Sequence, residues 1–159
     1  MVFTADISNS GITSAVFDRN GELIFRSDIS ADISRKEDEY LLLLKKIFCL
    51  YAVDPQSIED AIISSVVPPI TPTFCSAVKK MLGCKPLMVG PGVKTGLNIK
   101  IDHHYELGSD LVANTVAASA LYKAPFVIID LDTATTLTAV NTKGELCGVI
   151  ILPGVRTSL

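Results

Sequence analysis

Short apolar runs separated by polar breaks divide the chain, and the period of each run sets the element it predicts. "MVFTADIS" and "ITSAVFD" read as strands, and "RNG" turns the second into a third, "ELIFRSDIS", so the chain opens as a β-meander. "SRKEDEYLLLLKKIFCLYA" predicts a buried helix, with Ser34 and Glu37 spaced as a capping box. "IEDAIISSVV" is a β-branched run that suits a fully buried strand, and "PPITP" breaks it. "TFCSAVKKMLG" predicts a helix stopped at Gly83, and "KPLMVG" another short buried strand. "PGVKTGLNIKID" reads as a loop, with Gly90, Gly92 and Gly96 at or near its start. A helix of small residues, "ELGSDLVANTVAASALY", comes next, then the strand "APFVIIDL". "TLTAVNTKGELCGVII" predicts a hairpin turned at Lys143 and Gly144.

Three antiparallel strands followed by alternating helices and strands describe an α/β chain, with a mixed sheet carrying helices on its faces. The ribonuclease-H-like fold has this order. The expected organisation is one such domain over residues 1–109 and the start of a second, also with a hairpin, over 110–159. The second stops after about three strands, which leaves a strand edge and one sheet face open unless a partner covers them.

Composition narrows the possibilities. Of 159 residues, 48% are hydrophobic and the net charge is −3, which argues for a packed core over disorder. The 14 basic residues form no cluster longer than a pair, so a nucleic-acid partner is not expected. The apolar runs are shorter than the ~20 residues a membrane span needs, so no membrane partner is expected either. "MVFTADISNS" lacks a basic stretch before an apolar one, so no signal peptide is expected. Cys49, Cys75, Cys84 and Cys147 form no C-x-x-C pair and suit free thiols in a reducing cytoplasm.

Candidate chemistry collects around acids at strand and helix ends. Asp6 ends an apolar run and can hold Mg²⁺ through water, because that ion keeps several waters and few carboxylates; an ordinary turn residue fits there too. Asn9, Ser10, Gly11 and Thr13 can form a polar phosphate turn or a plain β-turn. Asp110, at the start of a helix, suits an N-cap and also a base for a substrate hydroxyl proton. The glycines near Lys94 permit close approach to a ligand or give a flexible connection, and Lys94 can balance phosphate charge or stay solvated. Thr133, Thr135, Thr136 and Thr138 offer hydroxyls, though threonine also simply favours strands. His103 and His104 are adjacent, so in a strand they face opposite ways and do not make a two-histidine metal site.

"AIISSVVPPITP", "VGPGVKTGLNIK", "ELGSDLVAN" and "IIDLDTATTLTAV" occur in this order through the chain. Together they resemble the type III pantothenate kinases of the acetate and sugar kinase/actin superfamily. The resemblance covers all 159 residues, with "SSVVPP" and "GPGVKTG" its most specific parts. It implies phosphorylation of pantothenate by ATP, the first step of coenzyme A synthesis, by a homodimer that uses Mg²⁺ and a monovalent cation, usually K⁺. By position it implies an ATP-phosphate loop at Asp6, Ile7, Ser8, Asn9, Ser10, Gly11, Ile12 and Thr13. It implies a pantothenate-binding motif at Gly108, Ser109, Asp110 and Leu111, with Asp110 as the catalytic base. It also implies a potassium ligand at Asp130 and an ATP contact at Thr133.

Four departures stand out. Where the family reads D-x-G-N-T, this chain has Ser8 and Ser10. Where the family reads G-A-D-R, Leu111 replaces the arginine and removes both its charge and its hydrogen bonds. Where the family has D-F-G-T-A-T-T, Asp132 replaces the glycine. A carboxylate ~4 Å from a phosphate charge is repelled by about 1 kcal/mol in water and about 4 kcal/mol at a protein surface. Weakened nucleotide binding is therefore expected, unless a cation bridges the two. The family also continues well beyond "PGVRTSL". A degenerate relative that binds a ligand or serves a regulatory role without catalysis is the alternative reading, and a small interaction module with an open sheet edge is a third.

Overall fold

The computed structural model of the chain describes residues 1–90, 93–102 and 107–158, and for Arg156 and Thr157 the backbone alone. His103, His104 and Gly92 lie outside the described residues. The chain forms two compact units, Met1–Val89 and Gly90–Leu159. This division precedes the expected boundary at 109/110, because Asn98 and Ile99 pair with Glu145 and Leu146 of the second sheet.

In the first unit the meander is β1 (Val2–Ile7), β2 (Ile12–Phe17) and β3 (Leu23–Ile29). Helix α1 (Glu37–Leu50) leads to β4 (Asp60–Ser65), and α2 (Thr71–Leu82) leads to β5 (Leu87–Met88). The sheet order is β3-β2-β1-β4-β5, with β1, β4 and β5 parallel and the meander antiparallel. Alternation sends Phe3, Ala5 and Ile7 to one face, where they are buried with Ile12, Val16 and Phe25. The buried residues Tyr40, Leu44 and Phe48 recur along α1 at helical spacing, and the Phe48 ring packs against Phe3 and Phe25. Phe74 of α2 meets the Tyr40 ring edge-on.

Two local expectations are corrected here. Helix α1 starts at Glu37 with Lys36 at its N-cap; the carboxylate that reaches back belongs to Glu39, whose Oε2 accepts from Lys36 N at 2.7 Å. Ser34 instead donates to Asp32 Oδ1, an Asx-type local bond that competes with helix entry. Strand β5 is an edge strand of two residues with Leu87 exposed, because among the described residues nothing pairs beyond it. Gly83 adopts a left-handed φ of 76° and ends α2 as expected.

In the second unit the stretch expected to be all loop contains β6 (Asn98–Ile99). Helix α3 (Ser109–Leu121), the meander β7 (Phe126–Leu131), β8 (Ala134–Val140) and β9 (Glu145–Pro153), and a final turn α4 (Val155–Ser158) complete it. The order is β6-β9-β8-β7, so β7 is an edge.

The two meanders repeat one plan. Asp18 Oδ1 accepts from Asn20 N and Glu22 N, with Gly21 left-handed; Asn141 Oδ1 accepts from Lys143 N and Glu145 N, with Gly144 left-handed. Each is a three-residue hairpin loop that needs glycine at its last position. The plan differs in what covers it. Val127, Ile129 and Leu131 stand on the face of β7 that corresponds to Phe3, Ala5 and Ile7 of β1, yet they are 60%, 62% and 65% exposed. Ile150 and Leu152 of β9 lie on that same face and are also exposed. Among the described residues, β7 is thus an edge and these five apolar side chains of the second sheet are exposed.

Candidate active site

In the first unit, parallel pairing of β1 with β4 brings Ile7 level with Ser65, so the turn at residues 8–11 and the "SSVVPP" connection leave the same end of the sheet. Ligands of open α/β sheets bind at this end. Ser8 N donates to Gly11 O at 2.9 Å, and Ser8 Oγ lies 2.8 Å from Ser10 Oγ and 3.2 Å from Gly11 O. Ser8, which stands where the family has glycine, therefore folds its side chain into the turn. Gly11 is tightly packed: a Cβ there would stand 3.0 Å from the Ile29 carbonyl oxygen. Ile7 and Ile12 are buried in the core, so only their backbone can face a ligand. Asn9 is exposed at the tip of the turn.

Asp6 pairs across the sheet with Thr13 of β2 and with Ser64 of β4. Thr13 in turn pairs with Asp28 of β3, and its hydroxyl donates to Asp28 Oδ1 at 2.5 Å. That bond, with help from Arg26, holds the Asp28 carboxyl below its ordinary range. On the connection beyond β4, Ser65 Oγ lies 2.6 Å from Thr71 Oγ1, and Thr71 donates to Val67 O, which fixes the entry to α2. Asp28 was not visible as a site residue in the sequence, because only strand register brings it beside Thr13.

In the second unit, Gly108 is the N-cap of α3 and Asp110 lies in its first turn. The expectation that Asp110 caps the helix is thus corrected: the cap lies two residues earlier. Its Oδ1 accepts from Leu111 N at 2.8 Å, and a carboxylate in the first turn suits the positive end of the helix dipole. Ser109 and Leu111 are buried. Four residues after Asp110, on the same helix face, Asn114 donates from Nδ2 to Asp130 Oδ2 at 3.2 Å. This joins "GSDLVAN" to "IIDLDT" and places Asp110, Asn114 and Asp130 along one surface. Asn114 was missed in the sequence; its helical spacing from Asp110 was the available signal.

Asp130 pairs with Thr136 across β7 and β8, as Asp6 pairs with Thr13 in the first unit. Thr138 is buried on the same strand. Asp132 and Thr133 form the exposed turn between β7 and β8, where Asp132 N donates to Ala134 O at 3.1 Å. Among the described residues only Ala52 is a non-glycine with positive φ, so aspartate occupies the former glycine position without left-handed backbone. Aspartate there bears no left-handed backbone cost, so its charge is the relevant difference from glycine. Gly154 lies under this turn: a Cβ there would stand 2.6 Å from the Asp132 carbonyl oxygen and closer still to that of Thr133. Lys94 is exposed in the loop before β6.

Among the described residues no cluster of three or more His, Cys, Asp or Glu side chains can hold a metal. All four cysteines are free. Among the described residues no helix is long and apolar enough to cross a membrane.

The mixed sheets, flanking helices and repeated Asp–Thr pairing define a fold of the sugar kinase and actin-like ATPase class. A candidate N-acetylglucosamine kinase from Porphyromonas gingivalis is similar to this chain with a TM-score of 0.54 at 14% identity, over 94% of this chain and 47% of its own. A candidate 2-dehydro-3-deoxygalactonokinase from Sinorhizobium meliloti is similar with a TM-score of 0.55 at 9% identity, over 95% of this chain and 53% of its own. The chain thus spans about half the length of these structures. The family model for type III pantothenate kinase matches residues 2–159, and the chain belongs to that family.

Proposed function

We propose that this chain carries the nucleotide turn and acceptor site of an ATP-dependent pantothenate kinase, which forms 4′-phosphopantothenate in the first step of coenzyme A synthesis. The observation that carries this reading is the surface formed by Asp110, Asn114 and Asp130, in a chain whose family is the type III pantothenate kinases. Phosphoryl transfer to an alcohol is mostly positioning and charge neutralisation. Asp110 accepts the hydroxyl proton of pantothenate as the oxygen attacks, and the bond from Leu111 N orients its carboxylate. Gly108, Ser109 and Leu111 shape the acceptor pocket around it. The turn at residues 8–11 offers backbone and hydroxyl donors to the phosphates, and the Thr133 hydroxyl is assigned an ATP contact by its position in the family motif.

Mg²⁺ fits an arrangement without a protein cage, since it binds one or two carboxylates plus phosphates and water. Asp6 is the carboxylate that would hold it, and the ion would neutralise charge on the transferring group. Asp130, with Asn114 fixing one carboxylate oxygen, supplies the hard oxygen a K⁺ ion takes. The reading includes a homodimer and a cytoplasmic location, as the family match suggests. The test is incubation with ATP, Mg²⁺, K⁺ and pantothenate and detection of 4′-phosphopantothenate by mass spectrometry. Product in proportion to protein and lost in Asp110→Asn supports the reading; product formation indifferent to Asp110→Asn removes Asp110 as the base.

A second reading, ligand binding without turnover, is favoured by one observation: Asp132 is exposed and puts a negative charge beside Thr133, the residue this scheme assigns to an ATP contact. It requires that pantothenate or nucleotide bind while no product forms.

A further inference from the structure

We propose that Asp28 is a positioning residue that makes the phosphate turn selective for metal-complexed phosphate over the bare anion. The proposal rests on the reading of residues 6–13 as the phosphate-holding segment. Its evidence is the bond from Thr13 Oγ1 to Asp28 Oδ1 at 2.5 Å. A hydroxyl has one hydrogen to donate and two lone pairs. With its hydrogen committed to Asp28, Thr13 presents only lone pairs to anything bound at the turn. A phosphate at neutral pH also presents only acceptors, so the two repel. A hydrated Mg²⁺ presents water O–H groups and a positive charge, and Thr13 can accept from those waters.

Register strengthens the argument. Asp28, Thr13 and Asp6 stand abreast on β3, β2 and β1, with strands about 4.8 Å apart, so carboxylates flank the hydroxyl on both sides. Arg26 Nη2 lies 3.3 Å from Asp28 Oδ1 and favours the ionised form, though both side chains are largely exposed. The arrangement repels a naked polyphosphate and favours one that brings its own cation. One carboxylate charge about 5 Å from a phosphate, in a dielectric between water and a protein surface, corresponds to roughly fivefold to tenfold in affinity at an exposed site.

The experiment is calorimetric titration of the full chain with ATP, once with excess Mg²⁺ and once with EDTA. The wild-type chain is expected to bind the Mg²⁺ form at least about tenfold more tightly. Asp28→Ala is expected to cut that ratio roughly fivefold, mainly by tightening metal-free binding, with the thermal transition monitored to confirm folding. In a Thr13→Val background the effect of Asp28→Ala is expected to shrink, because the two act as one unit. If the wild-type chain binds nucleotide and Asp28→Ala leaves the ratio unchanged, the proposal is overturned. If the wild-type chain binds neither form, the phosphate-turn reading fails and the proposal falls with it.

Discussion

Asn114 reaches from α3 to β7 and donates to Asp130, 3.2 Å away, tying the helix that carries Asp110 to the strand that carries the candidate cation ligand. The pair is exposed, so its net contribution to folding is small, on the order of 1 kcal/mol or less. On the proposed reading its contribution to chemistry is positional. Asn114→Ala is expected to leave the thermal transition nearly unchanged and to lower kcat/KM at least about tenfold, with a rise in the K⁺ concentration needed for half-activity. A K⁺ titration of both forms checks this; an unchanged half-point removes Asn114 from the cation site.

That relationship also shows what the sequence made legible. The meanders, α1, α2 and α3 follow from apolar period and glycine position, and the acids at 6, 110 and 130 follow from family motifs. Cross-strand and helix-to-strand partners do not. Asp28 becomes relevant only through the register of β2 with β3, and Asn114 only through the packing of α3 on β7. Gly154 reads as a loop glycine until the turn it supports is in place. The Ser34 capping box was misplaced because Asp32 captures that serine.

Gly154 should tolerate no side chain. A methyl group would press on the backbone carbonyls of Asp132 and Thr133, and backbone cannot swing aside as a flexible side chain can. Gly154→Ala is expected to destabilise the second unit by about 1–3 kcal/mol. Amide NMR shifts should move most at residues 131–134. Shifts scattered evenly over the unit would count against a specific clash.

The repeated meander permits a paired comparison. Ile7 is fully buried and Leu131 is 65% exposed at corresponding strand positions. Ile7→Ala is expected to cost about 2–5 kcal/mol, and Leu131→Ala within about 0.5 kcal/mol of nothing. Urea unfolding of both variants measures this. An equal loss for the two would mean that the face carrying Leu131 is covered in solution.

The two hairpin loops should respond differently to acid. The Asp18 carboxyl is held below its ordinary range, first by the Glu22 N–H and also by Asn20. A depressed folded-state pKa means that its contribution is full above the unfolded value, near pH 4, and is lost as pH falls through the folded value. Asn141 makes the same backbone bonds with a neutral amide. Amide exchange of Glu22 should therefore accelerate relative to that of Glu145 as pH drops below about 4, after correction for intrinsic rates. Parallel behaviour would show that the Asp18 charge does not hold its loop.

The most direct test of the phosphoryl-transfer account compares the chain with Asp132→Gly in the same assay for 4′-phosphopantothenate, across a range of Mg²⁺-ATP. Asp132 puts a negative charge in the β7–β8 turn without left-handed backbone, so on the proposed reading its removal should act through charge. The account predicts product from both forms and a KM for ATP at least about fivefold lower in Asp132→Gly. No product from either form at any ATP concentration would contradict it.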